Sequence, residues 1–364
     1  MKVLTVIGNR PQFVKAAAVS TKLRERATEV LVHTGQHYDR ALSDVFFEEL
    51  KLPPPDHMLG AGSGSHAEMT GSMMNSLEPL VGEVAPDAML VYGDTDSTLA
   101  GALVAAKAEV PIAHVEAGMR SFNRSMPEEI NRIVADALSG LSLCPTEVAV
   151  RNLEAEGLGD TARLVGDVMA DVALLFGPIA DERSDVLDRL GLTERSYCVA
   201  TAHRAGNVDD PANLAKLLDV LERGAAEAPV VFAVHPRTKA RLEDGVGLEG
   251  LEARGIRPID PVGYLDMTKL VRYARAVLTD SGGLQKEAFL ASVPCATMRE
   301  ETEWVETVET GWNRLVGLDA DATAEALAEL PRPGERTSPA AELYGGGVAG
   351  ERVAEEISLW LEGS

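Results

Sequence analysis

Three acidic residues and one histidine stand where an enzyme of alternating strands and helices usually carries its chemistry. Asp94 in YGDTDST, Glu116 in HVEAGMRS and His203 in TAHRAGN each follow a short run rich in aliphatic residues, and Glu128 lies in MPEEINR. Loops that follow strands concentrate catalytic groups, and carboxylates can exchange protons with a substrate as general acids and bases. We therefore expect proton-transfer chemistry that uses Asp94 and Glu116, with Glu128 and His203 as further candidates.

Glu128 and His203 also have structural interpretations. The sequence SMPE at 125–128 predicts a capping box with proline at the first helical position. On a helix that begins there, Glu128 and Arg132 share a face at i,i+4, so the same geometry could present a carboxylate and a guanidinium to a ligand. His203, followed by Arg204, is as typical of a satisfied structural histidine as of a catalyst. Both alternatives stay open for each residue.

A glycine-containing loop in the second half predicts a phosphate site. The sequence TDSGGLQKE at 279–287 joins a strand pattern to a helix pattern. Without Cβ atoms, Gly282 and Gly283 let backbone N–H groups approach a pyrophosphate, and the helix N-terminus adds partial positive charge. Glu287, about one turn along, could accept hydrogen bonds from ribose hydroxyls. The alternative is an ordinary helix start with Ser281 as its N-cap.

Two basic residues flank the first strand-to-helix turn. Arg10 and Lys15 lie in GNRPQFVK, where an anion would meet the positive end of a helix dipole. The turn lacks the GxGxxG pattern, and no acidic ribose-binding residue follows at the spacing of that fingerprint. A redox dinucleotide site is therefore not supported.

The segments that must position these residues alternate between strand and helix patterns. Strand-like runs lie at 2–8, 29–33, 88–92, 110–115, 196–202, 230–234, 257–259 and 276–279, with helical stretches such as 13–23 between them. This alternation predicts parallel, doubly wound sheets, whose ligands bind beyond the carboxyl ends of the strands.

The alternation restarts after residue 168, which predicts an α/β fold with two Rossmann-like domains that face a cleft. Residues 1–168 would carry the acid/base groups and residues 169–350 the nucleotide loop. A last amphipathic helix within 351–364 follows the glycines at 345–347, and we expect it to pack back on the first domain.

Composition bounds the class of protein. The chain has 364 residues, 45% hydrophobic and 25% charged, with a net charge of −23. The length favours two domains, and the acidic balance argues against a general nucleic-acid binder. Three scattered cysteines, Cys144, Cys198 and Cys295, fit buried free thiols. With no signal-like start, no long apolar stretch and no metal-ligand spacing, we expect a cytoplasmic protein without a membrane segment, metal or other cofactor.

Eight motifs in order resemble the non-hydrolysing UDP-N-acetylglucosamine 2-epimerase family, and they run through nearly the whole chain. They are GNRPQFVK, HTGQHYD, VYGDTDSTLAGAL, HVEAGMRSF, MPEEINR, TAHR, TDSGGLQKEA and TEWVETVETGWNRLVG. The resemblance implies a glycosyltransferase-B-like fold and usually a homodimer, with UDP held mainly by the C-terminal domain and the sugar facing the N-terminal one. It also implies elimination of UDP through a 2-acetamidoglucal intermediate, followed by re-addition.

The resemblance implies roles residue by residue. Asp94, Glu116 and Glu128 match the acid/base carboxylates, although which is base and which is acid stays open. The residues that match substrate and nucleotide contacts are His203, Arg204, His235, Arg10, Lys15, Arg132, Ser281, Gly282, Gly283 and Glu287.

Some motifs depart from those of many bacterial members. QHY at 36–38 replaces QHR, which puts activation by a second UDP-sugar in doubt, and TEW at 302–304 replaces TER. RPQF and TEW resemble the subgroup that acts on UDP-2,3-diacetamido-2,3-dideoxyglucuronate, which is thus an alternative substrate. A hydrolysing relative, a glycosyltransferase and a catalytically inactive UDP-sugar sensor are further alternatives.

Overall fold

The computed structural model describes residues 1–36, 52–61, 64–243, 245, 247–332, 334–335 and 337–363, except the side chain of Arg10. The chain forms two compact units. Lobe 1 comprises Met1–Leu174 and Ala341–Ser364, and lobe 2 comprises Leu175–Ala340. The division falls inside a helix, six residues beyond the predicted boundary at 168.

Lobe 1 alternates strands and helices from its first residues. Its strands are β1 (Lys2–Ile7), β2 (Thr28–His33), β3 (His57–Met58), β4 (Ala88–Tyr92), β5 (Ile112–Val115), β6 (Leu141–Cys144) and β7 (Ala162–Leu164). Its helices are α1 (Arg10–Arg24), α2 (His66–Val84), α3 (Asp96–Lys107), α4 (Pro127–Leu138) and α5 (Glu147–Ala155), with a 3-10 turn at Gly159–Thr161 and the first part of α6 (Val168–Arg183).

Lobe 2 repeats the alternation, and the chain then returns to lobe 1. Its strands are β8 (Cys198–Thr201), β9 (Val230–Ala233), β10 (Ile256–Ile259), β11 (Ala276–Thr279), β12 (Cys295–Thr297) and β13 (Asn313–Leu315). The remaining helices are α7 (Val186–Leu190), α8 (Ala205–Val208), α9 (Pro211–Ala225), α10 (Pro236–Glu243), α11 (Gly247–Glu252), α12 (Tyr264–Arg272), α13 (Gly282–Leu290), α14 (Val305–Glu309), α15 (Ala320–Glu329), α16 (Ala340–Leu343) and α17 (Ala349–Glu362).

Both sheets have the strand order of a dinucleotide-fold sheet. The order is β3-β2-β1-β4-β5-β6-β7 in lobe 1 and β10-β9-β8-β11-β12-β13 in lobe 2, and the paired strands are parallel. In such sheets ligands bind at the point where the strand order reverses. This point lies between β1 and β4 in lobe 1 and between β8 and β11 in lobe 2, so a ligand is expected at the loops after these four strands.

The lobe 2 sheet is covered on both faces because its strands are apolar on both sides. Ala200, Phe232 and Leu278 belong to one buried cluster. Their neighbours Val199 and Val277 belong to another, on the opposite face of the sheet. This continuous burial is typical of parallel sheets flanked by helices. Cys144, Cys198 and Cys295 are buried free thiols, as predicted.

The last helix packs on lobe 1. Asp171 of α6 accepts hydrogen bonds from the backbone N–H groups of Ala349 and Gly350, at 3.0 and 2.7 Å, and so caps the start of α17. The helix contacts α1, where Gly350 approaches the carbonyl oxygen of Ala18. Among the described residues, no helix combines the length and apolar character needed to cross a membrane.

Candidate active site

Gln12 ties together the two loops at the switch point of lobe 1. Its Oε1 accepts from Gly8 N at 2.7 Å, and its Nε2 donates to the carbonyl oxygen of Tyr92 at 2.8 Å. The same Nε2 donates to the hydroxyls of Thr95 and Thr98, at 2.9 and 3.0 Å. The loops after β1 and β4 are therefore held in one fixed arrangement. The glutamine of the RPQF motif is buried and serves this purpose.

Asp94 lies in the loop after β4 and is held by the guanidinium of Arg132. Arg132 Nε and Nη2 donate to Asp94 Oδ2 at 3.0 and 2.5 Å, while Nη1 donates to Glu129 Oε2 at 2.9 Å. Burial alone would raise the pKa of Asp94, but the charges of Arg132 and then Lys15 outweigh it and hold that pKa below its usual value. The Asp94 side chain keeps 31% of its surface exposed, so a fixed, ionised carboxylate remains accessible.

Glu116 lies in the loop after β5 and forms an ion pair with Lys15 of α1. Its backbone has φ 68°, a left-handed conformation that costs free energy for a residue with a Cβ atom. Such strain persists where the surroundings impose it, and it clusters at functional sites. Gly93 makes room for the pair, because a Cβ there would lie 3.0 Å from Lys15 Nζ and 3.3 Å from Glu116 Oε2. The structure thus brings Lys15, Asp94, Glu116 and Arg132 into one charge network.

A buried histidine joins the loops of the two carboxylates. His114 Nε2 lies 2.7 Å from the carbonyl oxygen of Gly93, and its Nδ1 lies 2.7 Å from Asp136 Oδ1. The other oxygen of Asp136 accepts from Gly118 N at 3.1 Å and from Arg120 Nη1 at 2.7 Å. Gly93 directly precedes Asp94, and Gly118 lies two residues after Glu116, so this hydrogen-bond network fixes the loops that carry both carboxylates.

The start of α4 differs from the prediction. Met126 and not Ser125 occupies the N-cap position, and no side-chain capping bond forms there within the described part of the chain, although Pro127 is the first helical residue as expected. Ser125 Oγ instead bonds to Asn123 Oδ1 at 2.7 Å. The predicted capping box is therefore wrong. The N-cap residue lies one position later than predicted, at Met126. Arg132 pairs with Glu129, and Glu128 is exposed in the first turn.

In lobe 2, Asp280 organises the switch-point loops. Asp280 is buried, and its carboxylate accepts from the backbone N–H groups of His203 and Arg204, at 3.1 and 2.9 Å, and from Asn207 Nδ2 at 3.1 Å. Arg204 Nε donates to the carbonyl oxygen of Asp280 at 3.0 Å. The rings of His203 and His235 lie 5.3 Å apart between centroids. The loops after β8, β9 and β11 therefore present two imidazoles and one guanidinium together.

The glycine loop begins α13 as predicted. Ser281 occupies the N-cap position, its N–H donates to Thr279 Oγ1 at 3.0 Å, and its side chain makes no capping hydrogen bond within the described part of the chain. A Cβ on Gly282 would collide with Glu303 Oε1, so this glycine is required for the close approach of that carboxylate. Gly283 and Glu287 follow on the helix.

The TEW motif forms the neighbouring wall of this loop. Lys286 Nζ lies 3.7 Å from the centre of the Trp304 ring, a cation–π contact, and both side chains are buried. Glu303 forms an ion pair with Arg299 at 2.9 Å. The tryptophan is thus held rigidly next to the candidate phosphate site.

Several site residues were not singled out from the sequence. Three of them, Gln12, Asp136 and Asp280, act through partners that are distant in the sequence, whereas Glu129 bonds to Ser121 and Phe122 nearby. The local signal was that Glu129 and Asp280 adjoin predicted residues. The side chain of Arg10 and residues 37–38 of QHY lie outside the described part of the chain.

Comparison with known proteins gives consistent matches over the whole chain. A sequence profile of UDP-N-acetylglucosamine 2-epimerase matches residues 20–358. The chain is 47% identical to UDP-2,3-diacetamido-2,3-dideoxy-D-glucuronate 2-epimerase of Pseudomonas aeruginosa, covering 98% of this chain and 99% of the relative. It is 44% identical to a UDP-N-acetylglucosamine 2-epimerase homolog of Methanococcus maripaludis, covering 94% of each. A crystal structure of Methanocaldococcus jannaschii UDP-GlcNAc 2-epimerase in complex with UDP-GlcNAc and UDP matches with a TM-score of 0.91 at 37% identity, covering 99% of this chain and 100% of that one.

Proposed function

The chain belongs to the UDP-N-acetylglucosamine 2-epimerase family, a family of isomerases, and from this premise we propose that it interconverts UDP-N-acetylglucosamine and UDP-N-acetylmannosamine. The observation that carries the proposal is the charge network of Lys15, Asp94, Glu116 and Arg132 at the switch point of lobe 1. It provides two fixed carboxylates and two cations where a ligand of such a sheet binds.

The proposed reaction is an elimination followed by an addition. A base takes the proton from C2 while the C1–O bond to UDP breaks. The electrons of the C2–H bond form the C1=C2 double bond of 2-acetamidoglucal, and UDP leaves with the electron pair of the broken bond. UDP then adds back at C1 while a proton arrives on the opposite face of C2. The sequence is redox-neutral.

The ionisation of the carboxylates suits these steps. Arg132 and Lys15 hold the pKa of Asp94 below its usual value against the effect of burial, so Asp94 is ionised at neutral pH and can accept a proton, although as a weaker base than an ordinary aspartate. Lys15 and Glu116 form the second acid/base unit of the proposal, because an ammonium group can donate a proton and a carboxylate can accept one. Glu128, exposed at the first turn of α4, is the third carboxylate of the proposal.

Lobe 2 supplies the nucleotide contacts of the proposal. The N-terminus of α13 at Gly282 and Gly283 offers backbone N–H groups to the diphosphate, and His203, Arg204 and His235 add donors beside it. C2 of the sugar has no adjacent carbonyl to acidify it, so stabilisation of the leaving diphosphate must drive the elimination. Ser281 and Glu287 complete the proposed substrate-binding set, with Arg10 of lobe 1.

One observation favours a second substrate. The Pseudomonas aeruginosa relative, at 47% identity, acts by its name on UDP-2,3-diacetamido-2,3-dideoxy-D-glucuronate. The chemistry at C1 and C2 would be the same, since this sugar also carries a 2-acetamido group. The two substrates differ at C3 and C6, away from the bonds that change. The RPQF and TEW motifs do not distinguish the two substrates, because their residues have structural contacts: Gln12 holds two loops together and Trp304 packs on Lys286.

Incubation in deuterated water tests the reaction. Each UDP-sugar is supplied separately, and the intact nucleotide sugar is analysed by mass spectrometry and NMR. We expect one deuterium at C2 and a mixture of the two C2 epimers for the true substrate. Unlabelled nucleotide sugar from both incubations would reject the epimerase proposal, and release of free sugar with UDP would instead support the hydrolysing reaction.

The remaining proposals concern assembly and location. By analogy with the family, we propose that the enzyme works as a homodimer in the cytoplasm and needs no metal or other cofactor. Light scattering at micromolar concentration and turnover after dialysis against a chelator test the first and last of these.

A further inference from the structure

Phe122 has an unusual position for an aromatic residue. Its side chain is 77% exposed, the largest fraction among the large apolar side chains of the described residues. Its backbone has φ 58°, in the left-handed region that bulky residues rarely adopt. Exposure forgoes the benefit of burying the ring, and the backbone conformation adds strain. Neither feature helps the fold.

The strained backbone is held by a buried carboxylate. Glu129 Oε1 accepts from Phe122 N at 2.9 Å, and Glu129 Oε2 accepts from Ser121 N at 2.9 Å and from Ser121 Oγ at 3.0 Å. Glu129 is 1% exposed. A buried carboxylate is costly unless it is paired and hydrogen-bonded, and here three of its hydrogen bonds fix this turn.

The same turn is rigidly linked to the candidate catalytic carboxylate. Arg132 Nη1 donates to Glu129 at 2.9 Å, while Nε and Nη2 of the same guanidinium donate to Asp94. Only two side chains, Glu129 and Arg132, separate the backbone of Phe122 from Asp94. One planar guanidinium therefore bonds both the carboxylate that holds the Phe122 backbone and the candidate catalytic carboxylate.

We propose that Phe122 is a substrate-contacting residue whose ring packs against the apolar face of the 2-acetamido sugar. The inference rests on the proposed function. An intermediate that has lost its bond to UDP has no diphosphate by which to be held, so contacts to the sugar must retain it until UDP adds back. An aromatic ring provides such a contact at low entropic cost, because Glu129 already fixes the backbone that carries it.

Binding and leakage measurements test this contact. Phe122→Ala is compared with wild type and with Leu359→Ala, a control that truncates another exposed apolar side chain of lobe 1. Calorimetry gives Kd for UDP and for the UDP-sugar, and chromatography gives the free UDP and glycal released during turnover. We expect the UDP-sugar Kd of Phe122→Ala to rise about tenfold, the UDP Kd to stay near the wild-type value, and more glycal to escape.

A second variant tests the strain. Phe122→Gly removes the ring and also accepts φ 58° without cost, so it should melt about 2 to 4 °C above Phe122→Ala while binding the UDP-sugar no better. A loss of UDP-sugar affinity that is the same in both variants, although their melting temperatures differ, is what a merely structural phenylalanine would not show. Equal melting temperatures would remove the premise that this backbone is strained.

The outcomes also separate this inference from the proposed function. If wild type binds the UDP-sugar but incorporates no deuterium at C2, the epimerase proposal fails while the affinity comparison still decides the role of Phe122. If deuterium is incorporated and Phe122→Ala binds and releases as wild type does, the contact is overturned alone. Unchanged affinities together with a changed oligomeric state would also overturn it, since the ring would then contact another protein chain.

Discussion

Gly93→Ala should lower the rate of catalysis far more than it lowers the stability of the fold. Gly93 has φ 62°, and the Cβ of an alanine there would lie 3.0 Å from Lys15 Nζ and 3.3 Å from Glu116 Oε2. Non-bonded heavy atoms rest at roughly 3.5–4.0 Å, so the Lys15–Glu116 pair must move by roughly 0.5–1 Å. Because both side chains are flexible, the shift costs little stability. A misplacement of about 1 Å in a reacting geometry can nevertheless cost about 10²-fold in rate.

Gly60 offers the matched control. It has φ 61°, and a Cβ there would meet no atom of the described residues within 4 Å. An alanine in this backbone region costs roughly 1–2 kcal/mol, and the stiffer unfolded chain returns roughly 0.4–1 kcal/mol. Gly60→Ala and Gly93→Ala should therefore both lose about 1 kcal/mol of unfolding free energy.

Urea denaturation and steady-state kinetics decide the question. We expect the two variants to unfold alike, while kcat/KM falls about 10²-fold for Gly93→Ala only. A Gly93→Ala enzyme as active as the Gly60→Ala enzyme would refute the reasoning, because the position of the Lys15–Glu116 pair would then not matter for the chemistry.

Two further predictions follow from buried charged or titratable groups. Arg132→Lys keeps the charge but loses the forked guanidinium that bonds both Asp94 and Glu129. Because at least one charge-assisted hydrogen bond is lost, we expect the free energy of unfolding to fall by about 3 kcal/mol and kcat/KM to fall by more than about 10²-fold. Near-wild-type values of both quantities in the same denaturation and kinetic assays would contradict the bridging role of Arg132. Burial lowers the pKa of His33 from 6.5 to about 4, so the unfolded chain binds more protons between these values and stability falls as pH drops through this window, by about 3 kcal/mol at its lower end. An NMR titration that gives His33 a pKa near 6.5 in the folded protein would contradict this prediction.

Much of the fold could be predicted from the sequence because the central strands are continuous apolar runs. The α/β prediction with two Rossmann-like domains and a glycosyltransferase-B-like fold is confirmed, and the strands at 88–92 and 276–279 have the predicted bounds. The strand predicted at 110–115 begins at Ile112 instead, because Val110 N still bonds to Ala105 O in the turn that ends α3. The strands β3, β6, β7, β12 and β13, which have two to four residues each, were missed, and their pairing is set by partners that are distant in the sequence.

The site was predictable where a residue follows a strand and not where it acts through a distant contact. Asp94 and Glu116 were identified from their place after apolar runs. The ion pair of Arg132 with Glu129 was not predicted, because residues three and four positions apart on a helix are both neighbours and the sequence does not distinguish Glu129 from Glu128 as the partner. Asp136 could not be predicted from the sequence, because its hydrogen bond with His114 forms only when α4 packs against β5.

The most direct measurement is to replace Asp94 by asparagine and follow two quantities in the same preparation. These are the rate of deuterium incorporation at C2 of the intact UDP-sugar and Kd for UDP. Since Asp94 belongs to the lobe 1 charge network and the nucleotide contacts are proposed in lobe 2, we predict that incorporation falls by at least about 10³-fold while Kd for UDP stays near its wild-type value. Incorporation at the wild-type rate, or an equal loss of incorporation and UDP affinity, would contradict an acid/base role for Asp94.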